Sequence, residues 1–403
     1  MNVDGGVSDY FGASEVHKTG AGELYLNAPS SSMGPFTLGS KSANGGTVYI
    51  NTSTNAFGPA SDHLIRINSV NSSNPAQGVA RFLTSTVVER PITFDGNNAY
   101  YNFYVDAGTI RFTRKFTQVG SMRLHFNQNV HVICEGGASL GGWTCFHGHS
   151  SAKWTFRGKT PISANYFYLS SEQNVVLETP SNSVSGIDFS SASSLTATQP
   201  RALNTEAMQV LFGNSGARLI VAGDQQIGGF MKMTGGTITS TVPSTVYFSQ
   251  YDWSSAANPK DKPMTNSAVR IDGAVTLYKR GTSLFVQDCA ADTTGGIGVG
   301  EGTLRLTAAA KFQKASRFLV EGTARAEIEG ERCLGKSVEV YYDDTAAIKL
   351  GGDQRVAALY INGVRQTSGC YGSSASGAEN VVVGFEGTGR LIVGPRGFYL
   401  TFR

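Results

Sequence analysis

The sequence predicts an all-β protein that folds as a parallel β-helix (a β-solenoid) with capped ends. Three observations lead to this prediction. Glycine accounts for 49 of the 403 residues, and charged residues make up only 16%, where roughly 25% is usual. Short segments with a period of two recur at intervals of about 8–12 residues. Parts of the sequence also repeat, which is typical of folds that grow by adding similar units.

The composition argues against several classes of protein. Apolar residues at 40%, including 10% aromatics, are enough to build a core, which disordered chains lack. The net charge is +3, and the densest basic stretch, residues 111–115, has a strand-like pattern. We therefore expect no nucleic-acid partner. No run of 18 apolar residues occurs, so no membrane-spanning helix is predicted.

Strand patterns cover most of the chain, and helix patterns are nearly absent. In the segment Met122–Phe126, apolar side chains alternate with Arg123 and His125, which places one set inward and the other toward solvent. An antiparallel sandwich of this length would need several domains, but no Pro-rich or charged linker is present. A solenoid needs no linker, because it grows rung by rung. Rungs of about 20–25 residues would give about 16–20 turns.

The repetition is clearest in two segments that each follow a lysine. In Lys18–Leu26 and in Lys279–Val286, a glycine-containing turn follows the lysine and leads into an apolar strand. The pairs Gly45–Gly46 and Gly295–Gly296 then precede further strands, which suggests that they correspond. Such repetition at a distance predicts that both segments build the same structural unit.

Residues 278–306 resemble the passenger-associated transport repeat of bacterial autotransporters. They carry its lysine, glycine turn and apolar strand, followed by Gly-Gly and a second Gly-x-Leu strand. Residues 223–238 resemble the companion segment of such repeats, and residues 352–393 resemble the closing segment of autotransporter-like surface proteins. The resemblance implies a single right-handed parallel β-helix. It also implies an extracellular or cell-surface location. Residues 1–6 have no basic and apolar signal-peptide pattern, so either the chain is not exported or a signal peptide is removed before this numbering begins, and we expect the second.

The domain prediction follows from the need to cap a solenoid, since open strand edges aggregate. We expect residues 1–355 to form the parallel β-helix, with repeat-like segments near 15–55 and 205–350. Residues 356–403 are then expected to form a C-terminal closing and capping segment.

The five cysteines offer no metal site. They are widely spread and form no Cys-x-x-Cys or Cys/His spacing, so no zinc and no other cofactor is predicted. Cys134 and Cys145 are close enough to pair across one turn of a solenoid. The alternative is a set of buried, inert thiols, which behave as small apolar side chains.

No catalytic motif is present. The chain lacks a Gly-x-Ser-x-Gly elbow, a P-loop and a His-Glu-x-x-His helix. Asp343 and Asp344 are adjacent, so they share a site only within a turn, and a solvated turn is the expectation. Residues 298–302 resemble a glycine-rich nucleotide loop, but no helix follows to receive a phosphate. We expect a solenoid turn there.

A ligand-binding stripe is predicted where aromatic and histidine residues cluster. His147 and His149 would lie on one face of a strand, which suits binding of a polar ligand or a metal. The simpler interpretation is that these histidines lie on the surface and that the nearby tryptophan belongs to the core. Tyr100 and Tyr104 alternate with Tyr101 and Phe103, so one of the two rows is predicted to be exposed. Aromatic side chains in this region are suited to stacking on sugar rings. The predicted stripe comprises Tyr100, Tyr104, Trp143, His147, His149 and Trp154.

The function predicted from these patterns is non-catalytic. We expect an extracellular or cell-surface β-solenoid for display, adhesion or assembly. Its expected partners are polysaccharide, other surface proteins or further copies of the chain. The alternative is a carbohydrate-active enzyme on the same scaffold, either a polysaccharide lyase or a glycoside hydrolase, which would need convergent acidic groups in a cleft.

Overall fold

A computed structural model describes residues 1–3, 14–31, 33–39, 45–69, 78–96, 99–249 and 263–394. For residues 69, 96, 99–102 and 205–207 only the backbone is described. The described residues form no helix, and their parallel strands build a β-solenoid of about 14 turns, which confirms the predicted fold class. Consequently, no described helix is long and apolar enough to cross a membrane.

The number of turns is smaller than expected because several rungs are longer than 25 residues. Thr47 pairs with Val79, 32 positions further along the chain, and Phe248 pairs with Lys279, 31 positions further. Other rungs have the expected length: Val132 pairs with Trp154, 22 positions away.

The chain divides into two compact units, residues 1–205 and 206–403. The strands of the first unit are β1 (Asn2–Val3), β2 (Val16–Lys18), β3 (Glu23–Leu26), β4 (Phe36–Leu38), β5 (Thr47–Ile50), β6 (Ile65–Ser69), β7 (Val79–Phe82), β8 (Thr86–Val88), β9 (Ile92–Gly96), β10 (Ala99–Val105), β11 (Thr109–Phe112), β12 (Phe116–Val119), β13 (Met122–Phe126), β14 (His131–Cys134), β15 (Ala138–Gly148), β16 (Lys153–Phe156), β17 (Ser163–Leu169), β18 (Asn174–Leu177), β19 (Ser183–Phe189) and β20 (Ser194–Ala197).

Strand β21 (Asn204–Phe212) begins at the boundary. The remaining strands belong to the second unit: β22 (Arg218–Val221), β23 (Gln225–Met233), β24 (Thr237–Phe248), β25 (Met264–Asn266), β26 (Arg270–Lys279), β27 (Leu284–Gln287), β28 (Asp292–Thr293), β29 (Gly296–Val299), β30 (Thr303–Leu306), β31 (Arg317–Val320), β32 (Arg325–Ile328), β33 (Glu339–Tyr342), β34 (Ala347–Leu350), β35 (Gln354–Val356), β36 (Ala358–Ile361), β37 (Val364–Arg365), β38 (Gly369–Gly372), β39 (Asn380–Val381), β40 (Phe385–Glu386) and β41 (Arg390–Val393).

The first unit has three faces, and each full rung contributes a strand to each face. Face A contains β1, β3, β5, β7, β10, β13 and the ends of β15, β17 and β19. Face B contains β8, β11, β14, β16, β18 and β20. Face C contains β2, β4, β6, β9, β12 and the starts of β15, β17 and β19.

The alternation of inward and outward side chains on face A follows the predicted period of two. Phe103, Leu124, Phe146 and Leu169 are in register on successive strands and are buried, forming one column of the core. The next residues of the same strands form an outward column, which contains Tyr104, His125 and His147. Two aromatic rows were predicted in β10, one with Tyr104 and one with Phe103. Phe103 faces the interior, and Tyr104 faces outward.

The core of the first unit is rich in aromatic rings that surround Trp154. The indole of Trp154 is 1% exposed. Five phenylalanine rings lie with their centroids 5.5–5.9 Å from it: Phe103, Phe116, Phe126, Phe146 and Phe156.

In the second unit one face contains β23, the end of β24, the end of β26, β29, β31, β33 and β36 in parallel register. A separate parallel sheet contains β25, β27, β30, β32, β34 and β40. Among the described strands, antiparallel pairing occurs only toward the C-terminus, between β36 and β37 and between β38 and β41. The expected division at residues 355 and 356 stays a prediction.

The two lysine-containing repeats form similar turns. The Nζ atom of Lys18 donates to the carbonyls of Thr19, Gly20 and Gly45, and that of Lys279 donates to the carbonyls of Arg280, Gly281 and Glu301. Glu301–Gly302, and not Gly295–Gly296, is thus the counterpart of Gly45–Gly46. The sequence comparison misplaced this pair because the rungs after the two lysines differ in length.

The cysteines are free thiols. Cys134 and Cys145 lie on different faces, in β14 and β15, and both are buried without a disulfide. Of the two alternatives drawn from the sequence, buried thiols are the one observed for Cys134, Cys145 and Cys333, whereas Cys289 and Cys370 are partly exposed. Burial raises the pKa of the Cys134 and Cys145 thiols.

Candidate ligand-binding face

Three aromatic side chains form an exposed patch on face A, here called the aromatic platform: Trp143, Tyr166 and Tyr168. The indole of Trp143 is 57% exposed. It stacks on the ring of Tyr166 with centroids 5.1 Å apart and planes at 25°. Its centroid lies 6.3 Å from that of Tyr168, at 26°. The rings are close to parallel and stacked, so the two tyrosines are half-buried and the exposed apolar surface is mainly the Trp143 indole.

The local sequence explains how the platform forms. Strand β15 changes register at residues 141–142, between the part in face C and the part in face A. This irregularity brings Trp143 outward, in register with Tyr166. Tyr166 in turn pairs with Gly186 on the next rung. A Cβ atom on Gly186 would lie 2.3 Å from Cδ2 of Tyr166, so the tyrosine ring rests on the backbone of the neighbouring strand.

A carboxylate lies beside the platform. Burial, together with the negative charge and a hydrogen bond of Asp188, raises the pKa of Tyr166 to about 12. The phenol is therefore protonated at neutral pH.

Cys145 lies between Trp143 and His147 on the same strand, and its Sγ is 3.4 Å from the hydroxyl oxygen of Ser170. Because burial raises the pKa of this thiol, it is not an activated nucleophile.

A shallow cleft of about 640 Å³, here called the histidine cleft, lies toward the end of the same strand, β15. Its polar lining includes Asp106, His125, Asn127, His147 and His149. The imidazole centroids of His125 and His147 are 5.5 Å apart, and the ring of Tyr104 lies 5.2 Å from that of His125. The outward column of face A thus begins with the aromatic side chain of Tyr104 and continues with the imidazoles of His125 and His147.

Hydrogen bonds orient the groups in the histidine cleft. Nδ1 of His147 lies 2.9 Å from the hydroxyl of Ser171, and Asn127 donates to Asp106 at 3.0 Å. Burial, followed by the charge of the other groups nearby, lowers the pKa of His125 and of His147. Both imidazoles are therefore neutral at pH 7 and provide one donor and one acceptor each. No group of three or more potential metal ligands was found in the part of the chain that the structure describes.

The predicted stripe is brought together only in part. Tyr104, His147 and His149 lie in or beside the histidine cleft, and Trp143 belongs to the aromatic platform. The prediction that Trp154 belongs to the stripe is wrong. Trp154 points into the core, because β16 places it inward on face B. The side chain of Tyr100 lies outside the described residues.

Two residues of the platform were missed in the sequence, Tyr166 and Tyr168. The segment 166–169 alternates tyrosine with Phe167 and Leu169, and the latter two are buried. An aromatic pair at outward positions one rung after Trp143 was the signal that would have identified them.

The adjacent carboxylates Asp343 and Asp344 lie in a turn, as expected. Asp343 accepts a hydrogen bond from the backbone of Gly322 at 2.9 Å, and Asp344 is exposed. They are therefore part of a rung-to-rung turn.

Comparisons of the chain with models of protein families, with curated proteins and with solved structures found no match. The fold and the face described above define the class of protein, which is a β-solenoid scaffold.

Proposed function

We propose that the protein is a non-catalytic β-solenoid of the cell surface or the extracellular space that adheres to neutral polysaccharide through the aromatic platform. The observation that carries this proposal is the exposure of the Trp143 indole while it stacks on Tyr166. Large apolar groups are normally withdrawn from water, and an exposed cluster of them is typical of a surface that a partner covers.

The chemistry of the platform favours a sugar as that partner. A pyranose ring has an apolar face of C–H groups, which packs on an aromatic ring, and a rim of hydroxyls, which needs donors and acceptors. The exposed Trp143 indole supplies the first, and the neutral imidazoles of the histidine cleft supply donors and acceptors further along the same face. A repetitive polymer also suits a scaffold that repeats at the rung spacing of about 4.8 Å.

The location outside the cell is supported by the repeat. Residues 278–306 resemble the passenger-associated transport repeat of autotransporters, and the lysine-capped turn at Lys279 within them has a counterpart at Lys18. Display, assembly with other surface proteins and self-association stay predictions.

The test is retention of the purified full chain on a panel of immobilised neutral polysaccharides, with reducing-end release measured on the same panel. We expect retention on at least one glycan and no release of reducing ends. Retention on none of them overturns the proposal. Release of reducing ends or of unsaturated products also overturns it, and assigns the protein to the enzymes.

A further inference from the structure

The second unit contains a separate cavity of about 490 Å³, here called the glycine-strand cavity. It lies on the face that contains β24, β26, β29 and β31. Its volume falls within the roughly 300–1,000 Å³ of small-molecule sites. The side chains that give it chemical character are Tyr247, Tyr278, Glu301, Arg280, Arg317 and Glu321.

The cavity lies beside strand β29, which has glycine at both outward positions, Gly296 and Gly298. Gly298 is in register with Tyr278 on one side and Leu319 on the other. A Cβ atom on Gly298 would lie 2.8 Å from Cβ of Leu319 and 2.9 Å from Cδ2 of Tyr278. The neighbouring side chains therefore lean over a strand that has no side chains of its own on this face. The glycine-rich segment is thus a solenoid strand and turn, and its Gly300 lines the cavity.

Two arginines of this cavity lack an acidic partner. The guanidinium of Arg280 lies 4.0 Å from the centroid of Tyr247 and donates to Gln226 at 3.3 Å. Arg317 donates from Nε and Nη2 to the hydroxyl of Thr276, at 3.3 and 3.1 Å. Within the described ranges, neither arginine forms an ion pair with a carboxylate. A guanidinium has five donors, so most donors of each remain available to a ligand.

The two carboxylates of the cavity are each held by one hydrogen bond. Oε2 of Glu321 accepts from the hydroxyl of Tyr278, and Oε2 of Glu301 accepts from the backbone of Gly281 at 3.2 Å. Burial and the bond to Glu321 raise the pKa of Tyr278, so it stays a donor. The second oxygen of each carboxylate is available to accept from a ligand hydroxyl.

We propose that the glycine-strand cavity binds a carboxylate-bearing sugar, a hexuronate unit of an acidic polysaccharide. The guanidinium groups of Arg280 and Arg317 pair with the sugar carboxylate, since arginine matches the planar geometry of that group. Glu301 and Glu321 accept from the hydroxyls. The rings of Tyr247 and Tyr278 pack on the apolar face of the sugar.

Because the lining contains both arginines and glutamates, it favours an acidic sugar over an inorganic anion and over a neutral sugar. Inorganic phosphate or sulfate offers mainly acceptors, so Glu301 and Glu321 would face an anion without a donor. A neutral sugar would leave two guanidinium groups without an anion. The site lies in a different unit from the aromatic platform, and the proposal does not depend on the one made for that platform.

The experiment is calorimetric titration of the full chain with a galacturonate trimer and a glucuronate trimer. The neutral galactose trimer and inorganic phosphate serve as comparison ligands. In the Trp143→Ala chain, which lacks the exposed ring of the aromatic platform, we expect at least one acidic trimer to bind about tenfold more tightly than the neutral trimer or phosphate. Arg280→Gln and Arg317→Gln should each weaken that binding about tenfold. Arg218→Gln, which removes an exposed arginine elsewhere in the second unit, should leave it unchanged, and Trp143→Ala should bind that trimer as wild type does.

Absence of binding to both acidic trimers overturns the proposal, as does equal binding of the neutral trimer or of phosphate by Trp143→Ala, which lacks the exposed ring of the aromatic platform. Unchanged binding in the two cavity variants overturns it as well. Circular dichroism and thermal melting report whether each variant folds. Arg280 is exposed, so Arg280→Gln decides the test if loss of the Arg317 bond to Thr276 disturbs the fold.

Discussion

Arg390 holds the carboxylate of Asp353 with both its side chain and its backbone. Nη2 donates to Oδ2 at 2.6 Å, and Nε donates to Oδ1 at 3.2 Å. The backbone N–H of Arg390 also donates to Oδ1, at 2.9 Å. These bonds join the turn before β35 to the start of β41, the last described strand. A polar contact therefore fixes the C-terminal segment to the rung beneath it.

This pair predicts a pH dependence of stability. The hydrogen bonds from Arg390 lower the pKa of Asp353. Its stabilising contribution is therefore fully present above the unfolded pKa, about 3.9, and is lost as the pH falls through the lower folded pKa. Asp353→Asn should reduce the free energy of unfolding at pH 7 by about 0.5–1 kcal/mol, because the pair is partly exposed. The difference from wild type should vanish in acid, measured by thermal melts across pH. Asp344→Asn, at an exposed carboxylate, is the control, and an equal effect there would contradict the prediction.

The lysine-capped turns predict a strong effect of removing a buried ammonium. Lys279 is fully buried and donates to three carbonyls. Lys279→Met should lower the free energy of unfolding by about 2–4 kcal/mol, since three acceptors lose their donor. Lys18→Met should cost less, because two of its three bonds are exposed. Urea denaturation measures both, with the exposed Lys336→Met as control. Equal values for the buried lysine and the control would show that the turns do not depend on the ammonium.

Trp143 and Trp154 should respond in opposite ways to substitution. Trp154→Ala removes the ring at the centre of the aromatic core and should destabilise the protein by about 3–5 kcal/mol. Trp143→Ala removes an exposed ring and should change stability by no more than about 0.5 kcal/mol. Thermal and urea melts of the two variants compare them directly. A large destabilisation by Trp143→Ala would identify it as a structural residue and remove the argument for a binding platform.

The cysteines should differ in reactivity in the native state. Cys134, Cys145 and Cys333 are buried, and burial raises the pKa of each thiol. Burial also raises the pKa of Cys289, to about 11. We expect alkylation under native conditions to modify Cys370 first. Mass spectrometry of the alkylated protein locates the label. A reducing agent should not change the melting temperature, and a decrease would reveal a disulfide.

The fold was predictable because alternation and repetition are properties of the local sequence. In Met122–Phe126, for example, the three apolar residues lie inward as the pattern predicts. The site was less predictable because it depends on which residues become neighbours between rungs. Trp143 meets Tyr166 across 23 positions, whereas Phe167 meets Ile187 across 20, and no local pattern fixes that number. The change of register at residues 141–142 also decides that Trp143 points outward, while Trp154 points inward.

The role of the aromatic platform is tested most directly by the dissociation constant of the best neutral glycan for wild type and for Trp143→Ala. Val383→Ala, which truncates an exposed apolar residue of the second unit, is the matched control. Trp143→Ala should weaken binding about tenfold or more, a loss of about 1.4 kcal/mol, while the control and the fold are unchanged. Equal dissociation constants for wild type and Trp143→Ala would contradict the claim that the aromatic platform binds glycan.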